Sequence, residues 1–108
     1  MILGGLPRRV KIDTAAGGTV ALIAGVTGST NRIFAVYLTL AAGSVKFNQG
    51  STDLTGAMSL TSLALDPIRD DGGQLVPHFV CASGAAFNLI FSGANQCSGY
   101  VLYTQEAD

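Results

Sequence analysis

The last third of the chain alternates between apolar and small or polar residues in short segments, and glycine-containing turns separate these segments. In residues 86–92 one side of the alternation holds Phe87, Leu89 and Phe91, and the other side holds Asn88, Ile90 and Ser92. A repeat of two residues is that of a β-strand with one buried face. The pattern therefore predicts short strands that pack one face against a core.

Similar alternation elsewhere predicts about eight short strands, at residues 8–13, 19–24, 33–41, 44–49, 53–60, 74–81, 86–92 and 97–104. Between them, residues 61–65 indicate one helical turn or irregular chain, and residues 66–73 indicate a polar loop. No helical pattern is long enough to cover a sheet. The pattern predicts an all-β protein and fits a β-sandwich or a small barrel. We expect a single-domain antiparallel β-sandwich, jelly-roll-like, over residues 8–108, preceded by an N-terminal arm at residues 1–7. The expected core is Phe34, Val36, Leu38, Phe47, Phe87, Leu89 and Phe91.

The strongest strand signal, residues 33–41, has two largely apolar faces. One predicted face holds Phe34, Val36, Leu38 and Leu40, and the other holds Ile33, Ala35, Tyr37 and Thr39. A strand that is apolar on both faces needs a cover on both. We expect the second cover to be a loop or another subunit.

Charged residues make up 12% of the 108 residues, about half of the usual share of about 25%. This shortage indicates that other protein covers part of the surface, and we expect a homo-oligomer, a dimer or a trimer. The net charge of −1 gives no strong field for nucleic acid or for an anionic membrane. No apolar run approaches the roughly 18 residues of a membrane-spanning helix. We therefore predict neither a nucleic-acid partner nor a membrane.

Residues that carry chemistry are few. His78 is the only histidine, and no serine or cysteine motif provides a nucleophile beside it. The loop residues Asp66, Asp70 and Asp71 lack the ligand spacing of a calcium loop, so a solvated acidic turn is the simpler interpretation. The chain has too few soft ligands for zinc. The prediction is a non-enzymatic protein with no catalytic residues, no metal site and no cofactor.

The two cysteines fall on the first and third strands of an expected C-terminal meander. One intervening strand would separate Cys81 from Cys97 by about 9–10 Å, whereas a disulfide needs Cα atoms within about 7 Å. We therefore expect two free, largely buried thiols.

Two blocks carry a family resemblance: residues 44–58, SVKFNQGSTDLTGAM, and residues 83–103, SGAAFNLIFSGANQCSGYVLY. They resemble small virion proteins of tailed phages and prophages. The matching positions are Lys46, Phe47, Leu54, Thr55, Gly56, Gly84, Asn88, Leu89, Gly99 and Tyr103. Residues 66–73 depart from that family because the loop is longer and more acidic.

The resemblance implies a β-sandwich located in the virion. It implies either a capsid cement (decoration) protein, which binds the major capsid protein on the head surface after assembly in the host cytoplasm, or a tail- or fibre-associated binding module. An enzyme or a small carbohydrate binder is a third class. The absence of tryptophan and the presence of only three tyrosines argue against an aromatic sugar platform.

Three groups of residues are the predicted partner contacts. They are the apolar Leu3 and Leu6 of the arm, the basic Arg8, Arg9 and Lys11, and the second-face residues Ile33 and Tyr37. The basic group also fits a solvated strand face, which is the alternative.

Overall fold

The computed structural model describes residues 7–108, and this part of the chain contains strands and turns but no helix. The predicted arm contacts Leu3 and Leu6 lie outside the described residues. The strands are β1 (Arg8–Thr14), β2 (Gly18–Ile23), β3 (Ser29–Leu40), β4 (Ser44–Gln49), β5 (Thr52–Asp53), β6 (Met58–Ser59), β7 (Ser62–Leu65), β8 (Ile68–Arg69), β9 (Leu75–Val76), β10 (Phe79–Val80), β11 (Phe87–Phe91) and β12 (Cys97–Ala107). The predicted all-β architecture is confirmed.

The strands form two five-stranded antiparallel sheets and one small hairpin. Sheet I has the order β1-β12-β3, with β10 and β7 both paired to the far side of β3. Sheet II has the order β2-β11-β4, with β5 and β6 both paired to the far side of β4. The hairpin joins β8 to β9. Apolar residues from the two sheets share a single buried cluster, which makes the molecule a β-sandwich.

The connectivity is that of a jelly roll. Strand β7 pairs with β3 at Val36–Thr39 and β10 pairs with it at Arg32–Ile33, so the two act as one edge strand that the β8–β9 hairpin interrupts. Strands β5 and β6 likewise share the edge of β4. Counted this way there are eight strand positions, and the first pairs with the last, the second with the seventh, the third with the sixth and the fourth with the fifth. This nested pairing confirms the expected jelly roll of about eight strands.

The core lies between the two sheets and is rich in aromatic and branched side chains. Phe47 contacts Phe79 edge-to-face and Phe87 at a tilt, with ring centroids 5.5 Å and 5.6 Å apart. The predicted core residues that lie in this cluster are Val36, Leu38, Phe47, Phe87, Leu89 and Phe91. The predicted inward faces of β4 and β11 are therefore confirmed.

A β-bulge in β3 changes the predicted faces of that strand. Ile33 lies opposite Tyr103 and Ala35 lies opposite Leu102, which leaves Phe34 as an extra residue. The extra residue reverses the alternation, so Ile33 and Val36 both belong to the core cluster. Phe34 is 8% exposed and is thus a buried hydrophobic residue as predicted, but it does not belong to the cluster between the two sheets.

The predicted C-terminal meander is also wrong. Strand β11 belongs to sheet II, whereas β10 and β12 belong to sheet I on opposite sides of β3. The loops at residues 81–86 and 92–96 cross between the sheets instead of returning within one. The two cysteines are nevertheless free and buried, as expected: Cys81 directly follows β10 and Cys97 begins β12.

The edge segments differ most from the predicted strands. The single strand expected at residues 53–60 is split into β5 and β6 around Gly56. Ser62–Leu65, where a turn or irregular chain was expected, is strand β7, because pairing with β3 provides its backbone hydrogen bonds. The expected loop at residues 66–73 contains β8 and the turn of the hairpin.

Candidate functional site

The outer face of sheet I presents an exposed patch of two cations and two aromatic rings. Strand β12 lies between β1 and β3, so Tyr100 has Lys11 as its cross-strand neighbour on one side and Tyr37 on the other. Arg9 lies on the same face of β1 as Lys11, because side chains two residues apart share a face. We call Arg9, Lys11, Tyr37 and Tyr100 the tyrosine face.

The two rings of the tyrosine face pack against each other. The ring centroids of Tyr37 and Tyr100 are 5.1 Å apart, and the planes are inclined by 46°. The guanidinium carbon of Arg9 lies 5.5 Å from the centroid of the Tyr100 ring, within cation–π range. Tyr100 remains 36% exposed. The patch therefore presents aromatic and cationic side chains side by side. Their positions are determined by the hydrogen-bonded strands β1, β12 and β3.

Tyr37 is oriented by the segment that enters the β8–β9 hairpin. Its hydroxyl donates a hydrogen bond of 2.7 Å to Oδ1 of Asp66. This hydrogen bond raises the pKa of Tyr37 above its ordinary value of 10.0, with smaller contributions from desolvation and from the carboxylate charge. The neutral phenol is therefore the favoured form, and its ring is held beside Tyr100.

His78, which follows the β8–β9 hairpin, holds Asp66, which precedes the hairpin. Its Nε2 donates to the main-chain carbonyl of Asp66 at 2.7 Å, and its backbone N–H donates to the carbonyl of Ile33 at 2.7 Å. These two hydrogen bonds tie the two ends of the hairpin to each other and to β3. His78 thus has a structural task in the described chain, and it orients Tyr37 only through Asp66.

The cationic side of the tyrosine face borders a shallow depression that is open to solvent. Arg9, Lys11, Gly99 and Tyr100 line it, and its volume is about 320 Å³. Nζ of Lys11 lies 3.8 Å from Oδ2 of Asp13, and both side chains are well exposed. An exposed ion pair of this kind contributes little and exchanges readily. Lys11 can therefore turn towards a carboxylate on a partner.

The structure separates the predicted contact residues. It brings Arg9, Lys11 and Tyr37 together, whereas Arg8 is exposed on the opposite face of β1, across from Tyr103. Ile33 is fully buried in the core of its own chain, so its assignment to the second face, and hence to a partner contact, is wrong. The bulge at Phe34 is the physical reason, because it turns Ile33 inward.

Tyr100 is the member of the face that the sequence did not single out. Its signal was the alternation of β12, in which Tyr100 and Leu102 share the face opposite Val101. The alternation alone could not place Tyr100 beside Tyr37. The two residues are far apart in sequence and become neighbours only because β3 pairs with β12.

The first block that carries the family resemblance forms a turn that is closed by its own side chains. The backbone N–H of Phe47 donates to Oγ1 of Thr55 at 3.0 Å, and the N–H groups of Leu54 and Thr55 donate to the carbonyl of Phe47 at 2.8 Å and 3.2 Å. Nζ of Lys46 lies 3.0 Å from Oδ2 of Asp53. The matching residues at this turn thus maintain local structure.

The same turn is joined to β11 by amide side chains. Nδ2 of Asn48 donates to Oδ1 of Asp53 at 3.0 Å, and Nδ2 of Asn88 donates to Oδ1 of Asn48 at 2.9 Å. The hydrogen bond from Asn48 and then the one from Lys46 lower the pKa of Asp53. These polar side chains already form hydrogen bonds with one another. The outer side of sheet II is therefore a weaker candidate for a binding site than the tyrosine face.

The acidic loop forms a turn of its own. The backbone N–H groups of Gly72 and Gln74 each donate to Oδ1 of Asp70 at 2.9 Å. Within residues 7–108 no group of three or more His, Cys, Asp or Glu side chains is placed to hold a metal ion. The same residues include no helix that is long and apolar enough to cross a membrane.

No protein-family model matches this chain, and no curated protein matches it either. The class that the structure itself defines is an all-β jelly-roll sandwich with an exposed aromatic and cationic patch on one sheet. The expectation of a virion protein rests on the sequence resemblance of residues 44–58 and 83–103 alone.

Proposed function

We propose that this chain is a structural protein of a phage virion, a capsid cement (decoration) protein that binds the assembled head and stabilises it. Its partner is the major capsid protein. The tyrosine face is the observation that supports a binding role most directly. Tyrosine and arginine are enriched where proteins bind one another, and here they occupy adjacent positions on rigid strands.

The shape of the face fits a protein surface better than a small molecule. Pockets for small ligands are concave and enclose most of the ligand, whereas the depression beside Arg9 and Lys11 is shallow and open. The tyrosine rings can bury apolar area, and the two cations can pair with carboxylates on the shell. Such pairs fix register and increase the rate of association more than they increase affinity.

A cement protein acts by mass action. It stabilises the assembled shell because it binds that state and not the separated subunits, and at a hundredfold excess over Kd one site contributes about 2.7 kcal/mol. A sandwich that presents its contacts on paired strands loses little side-chain and backbone freedom on binding. Many copies, each with a modest interface, then add up to a large stabilisation of the particle.

The low charge of the chain and its N-terminal residues support the same role. Only 12% of the residues are charged, so much of the surface can be covered without burying charges. Leu3 and Leu6 precede Arg8, where β1 begins at the edge of sheet I.

The test compares charge reversals on two faces of one strand. Particles from the strain that encodes this protein are imaged by electron cryomicroscopy, with the wild-type chain or with Arg9→Glu, Lys11→Glu or Arg8→Glu. We expect Arg9→Glu and Lys11→Glu to reduce head occupancy at least about tenfold and Arg8→Glu to reduce it much less, since Arg8 lies on the opposite face. Equal losses for all three variants would contradict a contact through the tyrosine face.

The location of the density distinguishes the two virion roles. Many copies on the head support a cement protein. A few copies at the tail would instead support the alternative, a tail- or fibre-associated module, and would overturn the capsid assignment.

A further inference from the structure

Strand β12 extends further than the edge strand beside it. On one side it pairs with β3 as far as Ala107. On the other side it pairs with β1 only as far as Tyr103, which lies opposite Arg8, the first residue of β1. Within the described part of the chain, no strand flanks residues 104–107 on this second side. We call residues 104–107 the open edge of β12.

Hydrogen bonds on the far side of β3 show which main-chain groups point to the open edge. Three alternate carbonyl groups of β3 accept hydrogen bonds on that far side: Ile33 from His78 at 2.7 Å, Asn31 from Cys81 at 2.9 Å and Ser29 from Gly84 at 2.8 Å. Successive residues of a strand point their main-chain groups to opposite sides, so the residues between these three point theirs towards β12. Through the β3–β12 register they bond Thr104 and Glu106. The N–H and C=O groups of Gln105 and Ala107 therefore point to the open edge, where an extended chain can pair with them.

Residues 4–7 are the segment that the existing register leads to this edge. Strand β1 runs antiparallel to β12 with no register shift between Thr14 and Arg8. The same register, continued towards the N-terminus, places Pro7 opposite Thr104, Leu6 opposite Gln105, Gly5 opposite Glu106 and Gly4 opposite Ala107. Covalent attachment directly beside the open edge gives this segment a much higher effective concentration there than a separate chain has. Residues 4–7 of the same chain are therefore favoured over a second copy or another protein.

The proline of this segment suits the same register. Pro7 would lie opposite Thr104, whose main-chain groups point to β3. Pairing therefore needs no N–H from residue 7, and a proline is tolerated at such an edge position. The residue before a proline is restricted to extended backbone, so Leu6 is already biased towards the strand conformation.

We propose that residues 4–7 extend β1 along the open edge of β12, with Leu6 and Gly4 hydrogen-bonded to Gln105 and Ala107. Leu6 then lies on the same face as Val10, which packs against the core, and it covers the margin of that core. The inference is independent of the proposed function, because it concerns contacts within one chain. Residues 1–3 lie beyond the end of β12, so Leu3 can still contact a partner.

Amide hydrogen exchange of the full-length chain, followed by NMR, tests the pairing. In the wild type we expect the Gln105 amide to be protected, as the Glu106 amide is through its bond to β3. Leu6→Pro removes the N–H that faces Gln105, so the Gln105 amide should exchange at least about tenfold faster. Gly5→Pro is the matched control, because the N–H of residue 5 points away from β12, and Gln105 should stay protected. The Glu106 amide should stay protected in all three proteins, which shows that sheet I is intact.

An NOE measurement identifies the paired segment directly. Opposed residues that share no hydrogen bonds have Cα atoms about 4.5 Å apart in an antiparallel pair. The Hα atoms of Gly5 and Glu106 are such a pair in the proposed register and should give a strong cross-peak in the wild type. Leu6→Pro should abolish this cross-peak.

Each result of these measurements decides the proposal. Faster exchange of Gln105 in Leu6→Pro alone, together with the cross-peak from Gly5 to Glu106, supports it. Rapid exchange of Gln105 in the wild type overturns it and leaves the open edge to an extended segment of another protein. Equal effects of the two proline variants overturn the register. Protection of Gln105 that disappears on dilution assigns the edge to the arm of a second copy and also overturns the proposal.

Discussion

Gly99 of β12 lies so close to Tyr37 of β3 that a Cβ atom on Gly99 would overlap the carbonyl oxygen of Tyr37. The φ angle of Gly99 is 151°, a backbone conformation that residues with a side chain rarely adopt. Gly99 directly precedes Tyr100, so the same close approach brings the rings of Tyr37 and Tyr100 together. One glycine thus links the packing of sheet I to the geometry of the tyrosine face.

Gly99→Ala should destabilise the fold and disturb the tyrosine face. The new Cβ must displace backbone rather than a flexible side chain, so we expect the free energy of unfolding to fall by roughly 2–4 kcal/mol. Gly56→Ala is the control, because no atom lies within 4 Å of a Cβ at that position. It should change the free energy of unfolding by less than about 1 kcal/mol. Urea unfolding of both variants measures the difference, and equal losses would refute the close approach.

Phe87→Ala tests the assignment of the core. Phe87 is fully buried and packs against Phe47 and Phe79, so its truncation should cost about 3–5 kcal/mol. Ile90→Ala, on the opposite face of the same strand, should cost less than half as much because Ile90 is only half-buried and lies outside the core cluster. Thermal unfolding gives both values. An unchanged melting temperature for Phe87→Ala would mean that the two faces of β11 are reversed.

The sequence predicted those parts of the fold that a local repeat determines. The inward faces of β4 and β11 follow from alternation alone, and Phe47, Phe87 and Leu89 lie in the core as expected. The bulge at Phe34 could not be predicted in this way, because it is a property of the pairing between β3 and β12. A shift of one residue exchanges the two faces of a strand, and for this reason the predicted faces of Ile33 and Phe34 are wrong.

The composition of the tyrosine face also depends on pairing between strands that are distant in sequence. Arg9 and Lys11 share a face by alternation, but their proximity to Tyr37 depends on β12 lying between β1 and β3. The expected meander would have placed β12 beside β11, and Tyr100 would then have had other neighbours. The roles of Asp66 and His78 in orienting Tyr37 likewise depend on a hairpin inserted in an edge strand, which no local pattern indicates.

The hydrogen bond from Tyr37 to Asp66 should make stability depend on pH in the alkaline range. The pKa of Tyr37 is raised in the folded state, so its contribution is complete below the ordinary value of 10.0 and is lost as the pH rises through the folded-state pKa. In Tyr37→Phe this part of the alkaline loss should disappear. Unfolding at a series of pH values and absorbance titration of the phenolate test the prediction. A Tyr37 that ionises at or below its ordinary value would contradict it.

The two cysteines should react slowly in the native protein. Burial raises the pKa of the Cys81 thiol to about 11 and also raises that of Cys97. The reactive thiolate is therefore scarce near neutral pH, and the surrounding core blocks the reagent. Reaction with a thiol reagent near pH 8 should be at least about a hundredfold slower than in urea, where both thiols react. Rapid labelling of either cysteine under native conditions would show that its surroundings open.

Residues 1–7 include the apolar Ile2, Leu3 and Leu6 and no charged residue. Deleting this segment, with a start methionine before Arg8, should leave the sandwich folded, because both sheets form within residues 8–108. Capsid occupancy should fall, since apolar side chains laid on a neighbour bury area worth about 25 cal/mol per Å², less the entropy of ordering them. Thermal unfolding measures the first effect and electron cryomicroscopy of particles measures the second.

Normal occupancy together with unchanged heat stability of the capsid would exclude the arm from binding and leave the tyrosine face as the contact. A deletion variant that fails to fold would instead show that these residues belong to the domain itself.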